Sequence, residues 1–184
     1  MGPPKLTKRK MTTRRARSHG SDATGQKLRR RKNRVIRDKG MLETEVNTLG
    51  LIQHVNLVRL VGFCSSGGDE KMLVYEYMPN GSLDSYLFGG SPCPSWHDRY
   101  AIMLGFARGL SYLHEGCRER IIHCDIKPEN IPLDKDLCPK IADFGMAKLV
   151  GRDFSRVLTT MPGTIGYLAP EWISGLPISA KADV

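Results

Sequence analysis

Long apolar runs are absent from this chain of 184 residues. No window of about 18 residues is apolar enough to span a bilayer, and no apolar stretch follows the basic N-terminus as a secretory signal requires. Cysteine is sparse and shows no pairing pattern: Cys64, Cys93, Cys117, Cys124 and Cys138 are odd in number and contain no C-x-x-C. That argues against a disulfide framework or zinc site and for a reducing compartment. No internal repeat occurs. Acidic residues are nearly missing from 1–40, where Asp22 and Asp38 stand against fifteen Lys and Arg, and aromatics are missing there altogether. Residues 41–184 hold thirteen basic residues against seventeen acidic ones. The body is therefore mildly acidic, and a basic binding face spread over the whole fold is excluded.

What is present divides at Met41. The runs Lys8-Arg9-Lys10 and Arg29-Arg30-Arg31-Lys32, spaced by Ser, Thr, Gly and His, cannot bury enough surface to offset ordering entropy. Residues 1–40 are expected to be a solvated, disordered tail that binds polyanions without sequence preference. A nuclear address, an organelle transit segment and a nucleic-acid arm are the alternatives. Beyond Met41, Leu42, Val46, Leu49 and Ile52 have helical spacing. The β-rich runs 57–64 and 72–78, separated by Ser65-Ser66-Gly67-Gly68-Asp69-Glu70, predict a hairpin. Ser82 is the expected cap of a short helix with Asp84 in its first turn. Trp96, Tyr100, Met103, Ala107, Leu110 and His114 predict a long helix with one buried face. Short apolar runs follow at 121–122, 131–133 and 140–142.

The densest polar cluster is His123-Cys124-Asp125-Ile126-Lys127-Pro128-Glu129-Asn130, and Asp143-Phe144-Gly145 comes thirteen residues after Asn130. Together they describe a metal and phosphate site. Asp125 can accept a hydroxyl proton, and Lys127 can neutralise a phosphate. Asn130 and Asp143 offer the hard oxygens that Mg²⁺ prefers. Gly145 lets the backbone turn sharply after the metal ligand.

Eighteen residues past Gly145 lies Gly163-Thr164-Ile165-Gly166-Tyr167-Leu168-Ala169-Pro170-Glu171. With these three motifs in order, the chain resembles the eukaryotic protein kinases. LVRLVGFC, LVYEYMPNGSLD, ARGLSYLHEGC, IIHCDIKPEN, KIADFGMAKL and GTIGYLAPEW resemble in particular the plant receptor-like kinases with a lectin-like S-domain. The resemblance covers about residues 42–184. Lys127 and Thr164 are similar to the serine/threonine branch. It implies an α+β, two-lobed kinase fold that uses ATP and Mg²⁺ to phosphorylate Ser/Thr of a protein substrate, on the cytoplasmic side of a membrane receptor. It assigns Asp125 as catalytic base, Lys127 as γ-phosphate contact, and Asn130 and Asp143 as Mg²⁺ ligands. Glu45 would pair with a phosphate-binding lysine, Tyr75 would be the gatekeeper, and Glu76 and Met78 would offer backbone groups to adenine. Leu49, Leu60, His123 and Phe144 match the hydrophobic stack between the lobes. Asp183 matches the opening of the central helix of the large lobe.

Several positions depart from that pattern. Upstream of Glu45 there is no G-x-G-x-x-G and no V-A-V-K strand, and the sequence stops one residue after Asp183. The expected fold is therefore truncated: residues 41–78 as a remnant of the small lobe and 79–184 as the first half of the large one. A catalytically dead kinase-like fragment is the alternative reading. Cys124 stands where many kinases have Arg, so a phosphate on Ser155, Thr159 or Thr160 could not be gripped there. Pro132, under the adenine, lacks an N–H and is expected to weaken the small hairpin. Pro162 precedes the substrate-docking Gly163-Thr164.

Overall fold

The computed structural model describes residues 33–36, 39–65, 71–90, 92–151, 163–174 and 177–184. The expectations for residues 1–32, for Ser155, Thr159, Thr160 and for Pro162 lie outside these.

Strand β1 (Asn33–Ile36) precedes helix α1 (Lys39–Leu51), and strands β2 (Leu60–Ser65) and β3 (Lys71–Tyr75) form the hairpin. The sheet order is β1-β3-β2, antiparallel throughout, with Arg34 opposite Leu73 and Phe63 opposite Leu73. The boundary drawn at Met41 is thus corrected. Four residues assigned to the tail pair with β3, and α1 begins two residues before Met41. A strand does precede Glu45, though its sequence is N-R-V-I rather than V-A-V-K. Two apolar residues among basic ones are too few to register as a strand by pattern alone.

The apolar run 57–64 splits at Arg59. Leu57 pairs with Ile141, Val58 donates to the Ile141 carbonyl at 2.9 Å, and only the second half joins β3. The run is apolar in both halves, so periodicity does not register the change of partner. β3 ends at Tyr75, leaving Glu76, Tyr77 and Met78 as an extended connection to helix α2 (Leu83–Leu87). Ser82 precedes α2 without capping it through its side chain, which donates instead to Asp84 at 2.5 Å.

Helix α3 (Trp96–Ser111) opens on Ser95, whose hydroxyl accepts from the Asp98 N–H at 3.2 Å. It runs into a π-helical turn, Tyr112–Gly116. The buried face is Ile102, Gly105, Gly109, Leu110 and Leu113. Trp96, Tyr100 and Met103 are instead 73%, 58% and 52% exposed, a correction to the expected buried set. The helix is apolar on two faces, and the described residues cover only one. Gly105 sits so close to the loops beneath it that a Cβ would lie 2.8 Å from Pro139 and 2.9 Å from the Asn56 amide.

Strand β4 (Arg120–Ile122) pairs with β5 (Lys148–Val150), which the sequence reading did not foresee. Between them lie two 3₁₀ turns, Pro128–Asn130 and Phe144–Met146. Helix α4 (Pro170–Ile173) and a final 3₁₀ turn (Ala180–Asp183) follow. The main core gathers Leu49, Leu57, Leu113, Ile121, Ile141 and Phe144, and a second cluster joins Ile122, Cys124, Val150, Trp172 and Ile178. Burying each large aliphatic or aromatic side chain contributes about 1.5–3 kcal/mol. These clusters fix β4 and the two 3₁₀ turns, and with them the polar motifs. The α+β reading holds, with a small strand-bearing part and a larger helix-bearing part.

Candidate active site

The His123–Asn130 loop leaves β4 with Cys124 in the left-handed region, φ 67°. A non-glycine residue persists there only if its surroundings hold it. Asp183 does so. Its buried carboxylate accepts from the backbone N–H groups of His123 at 2.8 Å and Cys124 at 2.9 Å, and meets His114 Nε2 at 2.8 Å. The His123 ring is fully buried, edge-on to Phe144 at 4.9 Å. Its Nδ1 accepts from the Asp125 N–H (3.3 Å) and its Nε2 donates to the Ala142 carbonyl (3.0 Å). Burial lowers its pKa, only partly opposed by Asp183 and the Ala142 bond, so the ring is a neutral peg joining the loop to the segment before Asp143.

Asp125 is buried and its carboxylate is fully engaged. Thr164 Oγ1 donates to Oδ1 at 2.7 Å; Lys127 Nζ (2.8 Å) and Asn130 Nδ2 (3.0 Å) reach Oδ2. Lys127 also donates to Thr164 at 2.6 Å. Burial alone would raise this carboxyl, but the bonds from Lys127, Thr164 and Asn130 outweigh it and hold its pKa below the ordinary carboxylate value. Asn130 spends its amide nitrogen on Asp125, including the backbone carbonyl at 2.9 Å, which leaves its amide oxygen for another partner. Thr164 is marked in the sequence as a branch residue and as half of the docking pair Gly163-Thr164. Its bridge from Asp125 to Lys127 across 39 residues is not something spacing could have given. The His114–Asp183 contact was likewise missed.

Beside this network lies a cleft of about 320 Å³ whose walls include Glu45, Tyr75, Glu76, Met78, Asn130, Pro132 and Asp143. Glu45, the residues expected around the adenine and the two expected metal ligands thus meet one cavity, and Asn130 joins that cavity to Asp125 and Lys127. The Tyr75 hydroxyl donates to the buried Glu45 carboxylate. Glu76 donates its N–H to the Arg59 carbonyl at 3.1 Å, so of its two backbone groups only the carbonyl is available to a ligand. Pro132 keeps the small hairpin through its carbonyl, which accepts from Lys140 N–H at 2.9 Å, while its neighbours bond Gly81 and Leu83. The reciprocal bond to Lys140 is the one proline cannot make. Asp143 has φ 69°, and Gly145 follows where a Cβ would meet Met41 Cε at 3.0 Å.

A bound ATP–Mg²⁺ fits this donor set. Two oxygen-bearing side chains, Asn130 and Asp143, line the same cleft as the connection from Glu76 to Met78, and the Asn130 nitrogen is already spent.

The protein kinase domain family matches residues 14–184, and the chain belongs to that family. Among its relatives are two G-type lectin S-receptor-like serine/threonine-protein kinases of Arabidopsis thaliana. One is 70% identical over 145 residues and the other 67% over 141, covering 77% and 76% of this chain. A putative receptor protein kinase of Zea mays is 50% identical over 153 residues, or 82% of the chain. The chain spans 17%, 18% and 19% of the length of these three relatives. No helix among the described residues is long and apolar enough to cross a membrane.

Proposed function

We propose that this chain transfers the γ-phosphoryl group of ATP to serine or threonine hydroxyls of a protein, on the cytoplasmic side of a membrane. The observation that carries this reading is the Asp125 network. An ionised carboxylate, its pKa held down by Lys127, Thr164 and Asn130, stands next to a cleft lined by Asn130 and Asp143. Asp125 would take the hydroxyl proton as the substrate oxygen bonds to the γ-phosphorus and the bond to the β-phosphate oxygen breaks, releasing ADP. Lys127 would follow the transferring phosphoryl group. Asn130 and Asp143 would hold Mg²⁺, which neutralises charge on the phosphates when bound. Tyr75, the Glu76 carbonyl, Met78 and Pro132 would enclose the base, and Glu45 would orient the phosphate side.

Cys124 adds a regulatory consequence. Its buried thiol, with a pKa pushed up to about 12 chiefly by burial, carries no charge, so activity would not require phosphorylation of the segment after Gly151. The sequence has no glycine-rich phosphate loop before Glu45. Charge-assisted contacts are worth about 1.5–3 kcal/mol each, so ATP affinity is expected near about millimolar.

The test is transfer of labelled phosphate to a basic protein substrate, with analysis of the labelled amino acid. Phosphoserine or phosphothreonine that disappears in Asp125→Asn and Asp143→Asn supports the reading. Equal label from all three proteins, or label on tyrosine alone, contradicts it.

A further inference from the structure

A second cavity is larger than the nucleotide cleft. It is a groove of about 550 Å³ that adjoins the cleft at Val58 and Glu76 and is lined by the end of α1, residues 52–55, Arg59 and Lys140. Four nitrogen-bearing side chains line it: Gln53, His54, Arg59 and Lys140. Among the described lining residues the sole carboxylate is Glu76, and it is already engaged, accepting from the Arg59 N–H at 2.9 Å and lying 3.5 Å from Lys140 Nζ. Lys140 also donates to the Val55 carbonyl at 2.9 Å, which leaves one of its three N–H groups over. The Arg59 guanidinium, with five donors, meets no acceptor among the described residues. His54 Nδ1 accepts from the Asn56 N–H at 3.1 Å, so its neutral ring carries hydrogen on Nε2. The ring is held against Tyr112, 4.8 Å away and stacked.

From this surplus of donors we propose that the groove binds a phosphorylated serine or threonine within an extended peptide. A phosphate monoester presents three terminal oxygens, and Arg59, Lys140 and His54 offer unspent donors, Arg59 through the planar fork that suits phosphate oxygens in pairs. His54 also lines a neighbouring cavity of about 420 Å³, with Arg108, Ser111, Tyr112 and Glu115. Leu51 and Val55 beside it are 70% and 65% exposed. Two neighbouring cavities that share His54, with exposed apolar residues beside them, suit a peptide carrying an apolar residue beside the phosphate, rather than a free ion. Nothing in the site depends on the phosphotransfer assigned above.

Fluorescence polarisation on the full chain tests this, using a labelled peptide with one phosphoserine between leucines and its unphosphorylated twin. The phosphopeptide is expected to bind at least about tenfold more tightly, since one charge-assisted bond is worth that much. Arg59→Ala, which removes an exposed side chain with no bond to the described residues, should abolish the preference, and Arg59→Lys should restore part of it. Asp125→Asn should bind as the wild type does. A preference that survives Arg59→Ala places the phosphate elsewhere, the basic segment 1–40 included, and overturns the proposal. So does equal binding of both peptides, or displacement by inorganic phosphate at the same concentration as by unlabelled phosphopeptide.

Discussion

In the loop from His123 to Asn130, the side chains that would do the chemistry are held by several named partners each, whereas on the sheet side of the cleft the support is mostly apolar and thin. Asp125 has three side-chain donors, and the loop backbone is gripped by Asp183. Behind β3 the buried cluster is Leu42 with Leu73, flanked by Met41, Val46, Leu60 and Tyr75, while Val61 and Phe63 of β2 are more than half exposed. The half around Asp125 is thus held by its own partners, and the half on the sheet side of the cleft depends on a small contact set. Changes in the first should remove turnover. Changes in the second should weaken ATP binding and loosen the strands.

The largest effect is expected from Asp183→Ala. It strands two buried backbone N–H groups and His114, at a cost of about 3–5 kcal/mol, and frees Cys124 from its left-handed conformation. Urea unfolding should show that loss, and phosphotransfer should vanish with it; an unchanged midpoint would mean that the loop holds itself.

Much of this difference was legible in the sequence. Asp125, Lys127, Asn130 and Asp143 are residue types that phosphate and metal chemistry demands, with one small hairpin between Asn130 and Asp143, and the structure joins them through Asn130. The positions expected around the nucleotide also share one cleft. What the sequence concealed lies where apolar pattern and contact diverge. The run 57–64 changes partner at Arg59, α3 is apolar on two faces, and Glu45 and Thr48 are polar yet buried on the inner face of α1. β1 and β5 are too short to carry a period of their own.

On the sheet side, Leu73→Ala should cost about 2–5 kcal/mol by leaving a cavity behind β3. Hydrogen exchange would localise the loss to β1, β2 and β3, with β4 and β5 protected as before; uniform deprotection would erase the distinction between the halves. Tyr75→Phe removes only the hydroxyl that bonds Glu45. A bond to a charged group is worth about 1.5–3 kcal/mol, so KM for ATP should rise about tenfold with kcat little changed. A fall in kcat alone would tie Tyr75 to the chemistry instead.

The smallest expected effect is on pH dependence. The pKa of His123 is lowered from its ordinary 6.5 by burial, so the folded state favours the neutral ring. Its contribution is complete above about pH 6.5 and is lost as pH falls towards the lowered folded value. His54, lowered by burial and by Lys140, acts in the same direction. Unfolding midpoints measured from about pH 7.5 down to about pH 5, a range that brackets the unfolded value, should therefore decline, and replacing His123 by Gln should flatten the slope. A midpoint that rises on acidification would contradict the neutral assignment.

The most direct test separates binding from transfer in a single variant. Calorimetric titration with ATP–Mg²⁺ and single-turnover phosphotransfer would be measured on the wild type and on Asp125→Asn. The expected result is similar, weak ATP affinity in both proteins, with transfer lowered by at least about 10²-fold in the variant, the scale on which a positioned general base contributes. Transfer that persists in Asp125→Asn, or ATP binding that collapses along with it, would contradict a prebuilt catalytic loop set beside a separately organised nucleotide cleft.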